Sequence, residues 1–307
     1  MPMAEHDHDH DGNGEYDYDA WSDAQEETTV TVDGHDLAMA YYYDDGDGSG
    51  SGDDGNDGEE SDSEAVVFLH GIPTNSFLWR RFAPAIADER RVIAPDLVGY
   101  GNSAAHDGFD RSIRAQEQAL GDLLEELGLE SVSLASHDIG SGVALRYAAH
   151  HPERVEKLVV SNGTCYDSWP VEFITSLGLP STEAMDGAEF EGTVESAFGQ
   201  GTYGEADSTF VSGMTTPWLR EGGQRAFARA AVSTNTSHTT EIPYGDIDAD
   251  LLCLWGANDD FQPIEYGERL ADEVGGEVVA LDEAYHWVTE DRPDAYREEL
   301  EAFLLTD

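Results

Sequence analysis

Lysine is almost absent from this chain: 14 of its 15 basic residues are arginine, and Lys157 is the exception. Against them stand 65 aspartates and glutamates, for a formal net charge of −50. So few cations leave no basic patch for phosphates, which argues against a nucleic-acid partner. Cysteine is scarce too. Cys165 and Cys253 lie far apart in the sequence and give neither a zinc spacing nor a disulfide framework, so both are read as buried free thiols. No apolar run approaches the ~18 residues of a membrane span. The N-terminus is acidic, without the basic and apolar regions of a secretory leader, so a cytoplasmic protein without a membrane partner is expected. Carboxylates at this density repel one another over ~30 Å at 0.01 M salt but only ~3 Å at 1 M. The composition therefore fits a protein that works in concentrated salt, as in a halophile's cytoplasm. No cofactor motif is present, and nothing sets an oligomeric state.

At 307 residues the chain can bury one large core with a subdomain. Residues 1–23 are acidic and low in complexity, which predicts a disordered tail. His6, His8 and His10 in it lack the supporting shell of a metal site, so no metal is expected. Two β-rich runs, 28–32 and 37–43, flank Asp33-Gly34, a strong hairpin signal. Residues 44–63 are acidic and small and read as an exposed loop inserted between strands. From residue 65 onward strands and helices alternate. Strands are expected at 65–70, 91–95, 132–135, 158–161, 251–255 and 278–281, with helices at 78–87, 113–127, 143–150 and 293–304. Continuous apolar strands separated by helices predict an α/β fold with a mostly parallel, doubly wound sheet. The rhythm breaks over 164–244, where only short helical pieces (171–177 and 223–231) are visible. That stretch reads as a mainly helical cap over the strand ends, where open α/β sheets bind ligands. The core is then 24–163 plus 245–307.

The chemistry centres on Ser136-His137-Asp138-Ile139-Gly140, between an apolar strand and a helix. Small residues two places either side of a central residue suit a sharp strand–turn–helix elbow, on which that side chain stands exposed. Here it is an aspartate. A carboxylate is ionised near neutrality, with a reference pKa of about 3.9, and needs no base before it attacks. On an acyl group it would give a reactive anhydride, so ordinary esterase work is unfavourable. On a saturated carbon bearing a leaving group it gives an alkyl ester, which a base-activated water can hydrolyse. His286 suits that base. Asp259 or its neighbour Asp260 would orient it. The simpler structural role for Asp138 is to cap a helix.

The chain resembles the α/β-hydrolases, and within them the haloalkane dehalogenase and epoxide hydrolase branch. The matching stretches are His70-Gly71-Ile72-Pro73-Thr74-Asn75-Ser76-Phe77-Leu78-Trp79-Arg80 and Ile93 through Ser103, the aspartate elbow, His151-Pro152-Glu153-Arg154-Val155, Trp255-Gly256-Ala257-Asn258-Asp259 and Tyr285-His286-Trp287. The resemblance covers about residue 65 to the C-terminus. It implies Asp138 as nucleophile, His286 as base, Asp259 rather than Asp260 as its partner, and the backbone N–H groups of Ile72 and Ile139 as oxyanion donors. The substrate would be small and apolar, with water as co-substrate.

The leaving group is where the chain departs from the pattern. Haloalkane dehalogenases hold the halide with a Trp after the nucleophile and often an Asn after His-Gly. Those positions are Ile139 and Ile72 here. Trp169 and Trp218 are cap candidates for a halide donor. Tyr166, Tyr203 and Tyr244 are candidates for protonating an opening epoxide, and Asn75 is expected to shape its loop. A dehalogenase-like hydrolase comes first and an epoxide hydrolase second. Another hydrolytic substrate, or a non-catalytic ligand-binding module on the same scaffold, are the remaining readings.

Overall fold

A computed structural model describes residues 17–46 and 65–306 of the protein. Eight strands form one sheet: β1 Gln25–Val32, β2 His35–Asp44, β3 Ala65–Leu69, β4 Val92–Pro95, β5 Val132–His137, β6 Val155–Ser161, β7 Asp250–Gly256 and β8 Glu277–Leu281. Their order is β1-β2-β4-β3-β5-β6-β7-β8. The β1–β2 and β2–β4 pairs are antiparallel and every later pair is parallel, as the alternating pattern predicts. Asp33 and Gly34 both take positive φ (50° and 80°), the twisted two-residue turn that the Asp-Gly signal announces. β3 and β5 are buried along their whole length, which is why they read as unbroken apolar runs.

Helices Ile113–Glu126 and Ile139–His150 pack on each other, and Ile264–Val274 and Pro293–Leu304 pack on β7. Ser112 starts the first by accepting from the Ala115 N–H, and Gly128 (φ 67°) follows its end. The single helix expected over 78–87 is split into a 3₁₀ turn, Ser76–Trp79, and a short α-helix, Ala83–Ala87.

One further expectation is corrected. Residues 17–23 are not a disordered tail. Tyr18–Asp23 is a helix capped by Asp17, and Trp21 is buried, stacked on Tyr42 at 4.2 Å with its indole N–H donating to Ser76 Oγ at 3.0 Å. One aromatic anchor thus outweighs the polar composition around it. The stretch between β6 and β7 is mainly helical, in line with the expected helical cap. It contains the helices Glu172–Leu177, Pro180–Glu183, Gly187–Gln200, Ser208–Thr215, Gly223–Val232 and Ser237–Thr240. His6, His8 and His10 and residues 47–63 of the acidic insert lie outside the described residues.

Candidate active site

β5 delivers Asp138 to the C-terminal edge of the sheet. Its backbone (φ 52°, ψ −120°) lies outside the ordinary regions for a side-chain-bearing residue. Such geometry costs on the order of 1–3 kcal/mol and persists only where the surroundings enforce it. They do: the Asp138 carbonyl accepts from Ser141 N and Thr164 N, and its N–H donates to Ser161 O. Close approach explains the small residues of the elbow. A Cβ on Gly140 would lie 2.4 Å from the His70 carbonyl oxygen, and one on Gly71 would lie 2.4 Å from Asp138 Cβ. The Asp138 side chain makes no capping bond to the following helix. Instead its Oδ1 accepts from Ile72 N at 2.7 Å, and the Ile139 N–H also favours its charged form.

Oδ2 of the same carboxylate lies 3.7 Å from His286 Nε2. The far side of the imidazole, Nδ1–H, donates to Asp259 Oδ2 at 2.9 Å. Asp259 is itself fixed from several directions. It accepts from Asn162 Nδ2 at 2.6 Å, from Phe261 N at 2.8 Å and from the backbone of Gln262. Asp260 is exposed and takes no part. The His286 loop is held on both flanks. His137 Nε2–H donates to the His286 carbonyl at 2.8 Å, and the Trp287 N–H groups donate to Gly201 O at 3.0 Å and Phe198 O at 2.9 Å.

Burial pushes the Asp138 carboxyl up to about 6, against the lowering influence of His286 and the two backbone N–H groups. Burial alone would lower His286, but the Asp259 carboxylate outweighs it, with help from Asp138, and the imidazole sits above its usual value. His137 has no such partner, and burial drives it down to about 3, so it stays a neutral donor. Asp259 is held below the usual carboxylate range, because His286 and Asn162 overcome its burial. An ionisable carboxylate, a polarised imidazole and an orienting acid therefore converge on one point.

Beside them lies a narrow cavity. Its walls are apolar (Ile72, Pro73, Val171, Phe173, Ile174, Ala197, Phe261, Trp287), with Asp138, His286 and Gln262 as the polar exceptions. The segment between β6 and β7 supplies Val171, Phe173, Ile174 and Ala197, and so roofs the site. A site this narrow suits a compact, mostly apolar ligand.

The aromatic donors expected in the cap are elsewhere. Trp218 spends its indole N–H on Pro73 O at 2.7 Å. Tyr166 donates to Glu273 Oε2 at 2.8 Å and lies against Arg269, 3.5 Å from the ring centre. Tyr244 accepts from Tyr166 N and donates to Thr239 O. Tyr203 is exposed and packs edge-on against Tyr285. Trp169 is buried with no acceptor for its Nε1 among the described residues, yet it does not line the cavity. Asn75 does shape its loop: it accepts from Phe77 N and donates to Gly213 O. Both cysteines are buried and unpaired, and among the described residues no group of three or more metal-ligating side chains gathers. No described helix is long and apolar enough to cross a membrane. Asn162, His137 and Gln262 escaped the sequence reading. Their only signal is sequence proximity to a strand end or to Asp259.

The model of the alpha/beta hydrolase fold matches residues 64–293. The chain is similar to haloalkane dehalogenase 2 of Mycobacterium tuberculosis, 25% identical over 249 residues that cover 77% of this chain and 86% of that protein. It is also similar to a cis-3-alkyl-4-alkyloxetan-2-one decarboxylase of Shewanella oneidensis, 37% identical over 106 residues, or 34% of this chain. That alignment spans only about a third (33%) of the decarboxylase's length. Among solved structures, the haloalkane dehalogenase DbeA from Bradyrhizobium elkani superimposes with a TM-score of 0.73 and 22% identity, covering 92% of this chain and 98% of that one. At that identity the likeness shows the fold.

Proposed function

Because this chain belongs to the alpha/beta hydrolase fold family, we propose that it hydrolyses small electrophiles through an ester on Asp138, with alkyl halides as its first substrate class. One observation carries the reading: the elbow residue is an aspartate whose Oδ1 is held by Ile72 N at 2.7 Å while Oδ2 faces His286 at 3.7 Å. In the first step Oδ2 attacks the carbon, the C–O bond forms, and the carbon–halogen bond breaks with its electron pair leaving on the halide. Burial favours this step. The charged carboxylate is poorly solvated, and its charge passes to the departing atom.

Esterification removes the negative charge that helped to raise His286, so the imidazole moves toward its neutral, basic form when a base is needed. His286 Nε2 takes a proton from water, and the hydroxide attacks Cγ of Asp138. The resulting oxyanion rests on the N–H groups of Ile72 and Ile139. Collapse releases the alcohol with the proton from His286 and restores the carboxylate, which now carries one oxygen from water. Asp259 holds the imidazole in its Nδ1–H tautomer and stabilises its charged form. Epoxides come second, because none of Tyr166, Tyr203 and Tyr244 lines the cavity.

The test is to trap the ester. A His286→Gln variant incubated with 1,2-dibromoethane is expected to gain the mass of the substrate less bromide, located to the Asp138 peptide. The panel should also hold chloro- and iodoalkanes, styrene oxide and a small oxetan-2-one, the ring type in the Shewanella relative's name. If no electrophile leaves an adduct on a folded variant, the reading is wrong.

A further inference from the structure

Gln262 lines the cavity beside Asp138 and His286, is 1% exposed, and has no hydrogen-bond partner for its Oε1 among the described residues. A buried amide oxygen left unpaired costs on the order of 1–3 kcal/mol, a cost that a bound ligand would offset. Its backbone, by contrast, is pinned at both ends. The N–H bonds to Asp259, and the carbonyl accepts from Trp255 Nε1 at 2.7 Å. The side chain is therefore carried at a fixed place with its polar end uncommitted. Resting on the reading of Asp138 as nucleophile, we propose that the Gln262 carboxamide holds the departing halide.

The argument is one of supply and demand. Breaking a carbon–halogen bond between apolar walls puts negative charge on an atom that they solvate poorly, so a donor there stabilises the transition state. The Ile72 and Ile139 N–H groups serve Asp138 itself. The indoles of Trp287 and Trp218 donate to backbone carbonyls, and Asn75 Nδ2 donates to Gly213 O. Among the residues that line the cavity, Gln262 is the one neutral polar side chain. Turning its amide by 180° exchanges oxygen and nitrogen and presents Nε2–H where the unpaired oxygen stands. A single neutral donor helps a poor leaving group most and a good one least, so this residue also sets halide preference.

Rates of ester formation on Asp138 should be measured in His286→Gln and in His286→Gln/Gln262→Met, with 1-chloro-, 1-bromo- and 1-iodopropane in potassium glutamate, which keeps chloride out. Met matches Gln in length and removes both polar atoms. We expect the second substitution to slow the chloride reaction about 10²-fold, the loss of one transition-state donor, and the iodide reaction least. Gln262→Leu replaces Met if that variant does not fold. A loss equal for all three halides, or no loss, assigns Gln262 to the scaffold and overturns this inference while the nucleophile reading stands. No adduct even in His286→Gln overturns both.

Discussion

At the scale of single residues, the role proposed for Asp138 and the burial of its carboxylate tie activity to stability. Its carboxyl is raised to about 6, so as pH falls through that value it loses the charged form that the proposed attack requires. With the fold intact by circular dichroism, kcat/KM should fall about tenfold per pH unit below 6 and level off above about 7. An unchanged kcat/KM between pH 7.5 and 5 would contradict this. The same raised value makes Asp138 a liability to the fold. Its folded pKa exceeds the unfolded one, so the cost is absent at low pH, grows as pH rises from about 4 to 6, and is then constant. The shift from 3.8 to about 6 corresponds to about 3 kcal/mol. Asp138→Asn should therefore be inactive yet more stable at pH 8, by about 2–3 kcal/mol in denaturant unfolding, with the gain gone near pH 4. A variant less stable at both pH values would show that the carboxylate is well accommodated.

At the scale of elements, the Ile72 loop and the His286 loop must keep register with each other, and a buried ion pair links them. Arg80, wholly buried after the Ser76–Trp79 turn, makes two 2.9 Å bonds to Glu290 in the short helix Val288–Asp291 that follows His286. Arg81 Nη1 also donates to Glu290 Oε2 at 3.1 Å, so losing Arg80 leaves the buried carboxylate with part of its pairing only, at about 1–3 kcal/mol. Arg80→Met is expected to lower stability by that order, read by denaturant unfolding at pH 7.5. A change under 1 kcal/mol would mean that Arg81 alone satisfies Glu290.

The elements also show what the sequence could reveal. The elbow was legible because an apolar strand, a turn and a helix adjoin, and Asp33-Gly34 because few residues tolerate positive φ. The helices Gly187–Gln200 and Ser208–Thr215 were hidden by their Gly, Ser and Thr content, although Asp186 and Asp207 cap them as local signals. Gln262 was invisible because an unpaired side-chain oxygen shows only once the cavity is packed. The cap aromatics misled for the converse reason: composition offers donors, and packing had already spent most of them.

At the scale of the whole molecule, a net charge of −50 dominates behaviour away from the site. Screening over ~3 Å at 1 M salt relieves a repulsion that reaches ~30 Å at 0.01 M. Stability and activity should both decline as potassium glutamate is lowered from 2 M to 0.05 M, followed by thermal melting and turnover of the best halide. Full activity in dilute buffer would detach the acidic surface from any salt requirement.

The central claim, that Asp138 forms and loses an ester, is tested most directly by one turnover in H₂¹⁸O with enzyme in excess over substrate. The account predicts ¹⁸O in the Asp138 carboxylate, located by peptide mass spectrometry, and an alcohol that carries unlabelled oxygen. Labelled alcohol with an unlabelled Asp138 would mean that water attacks the substrate directly, and the account would fail.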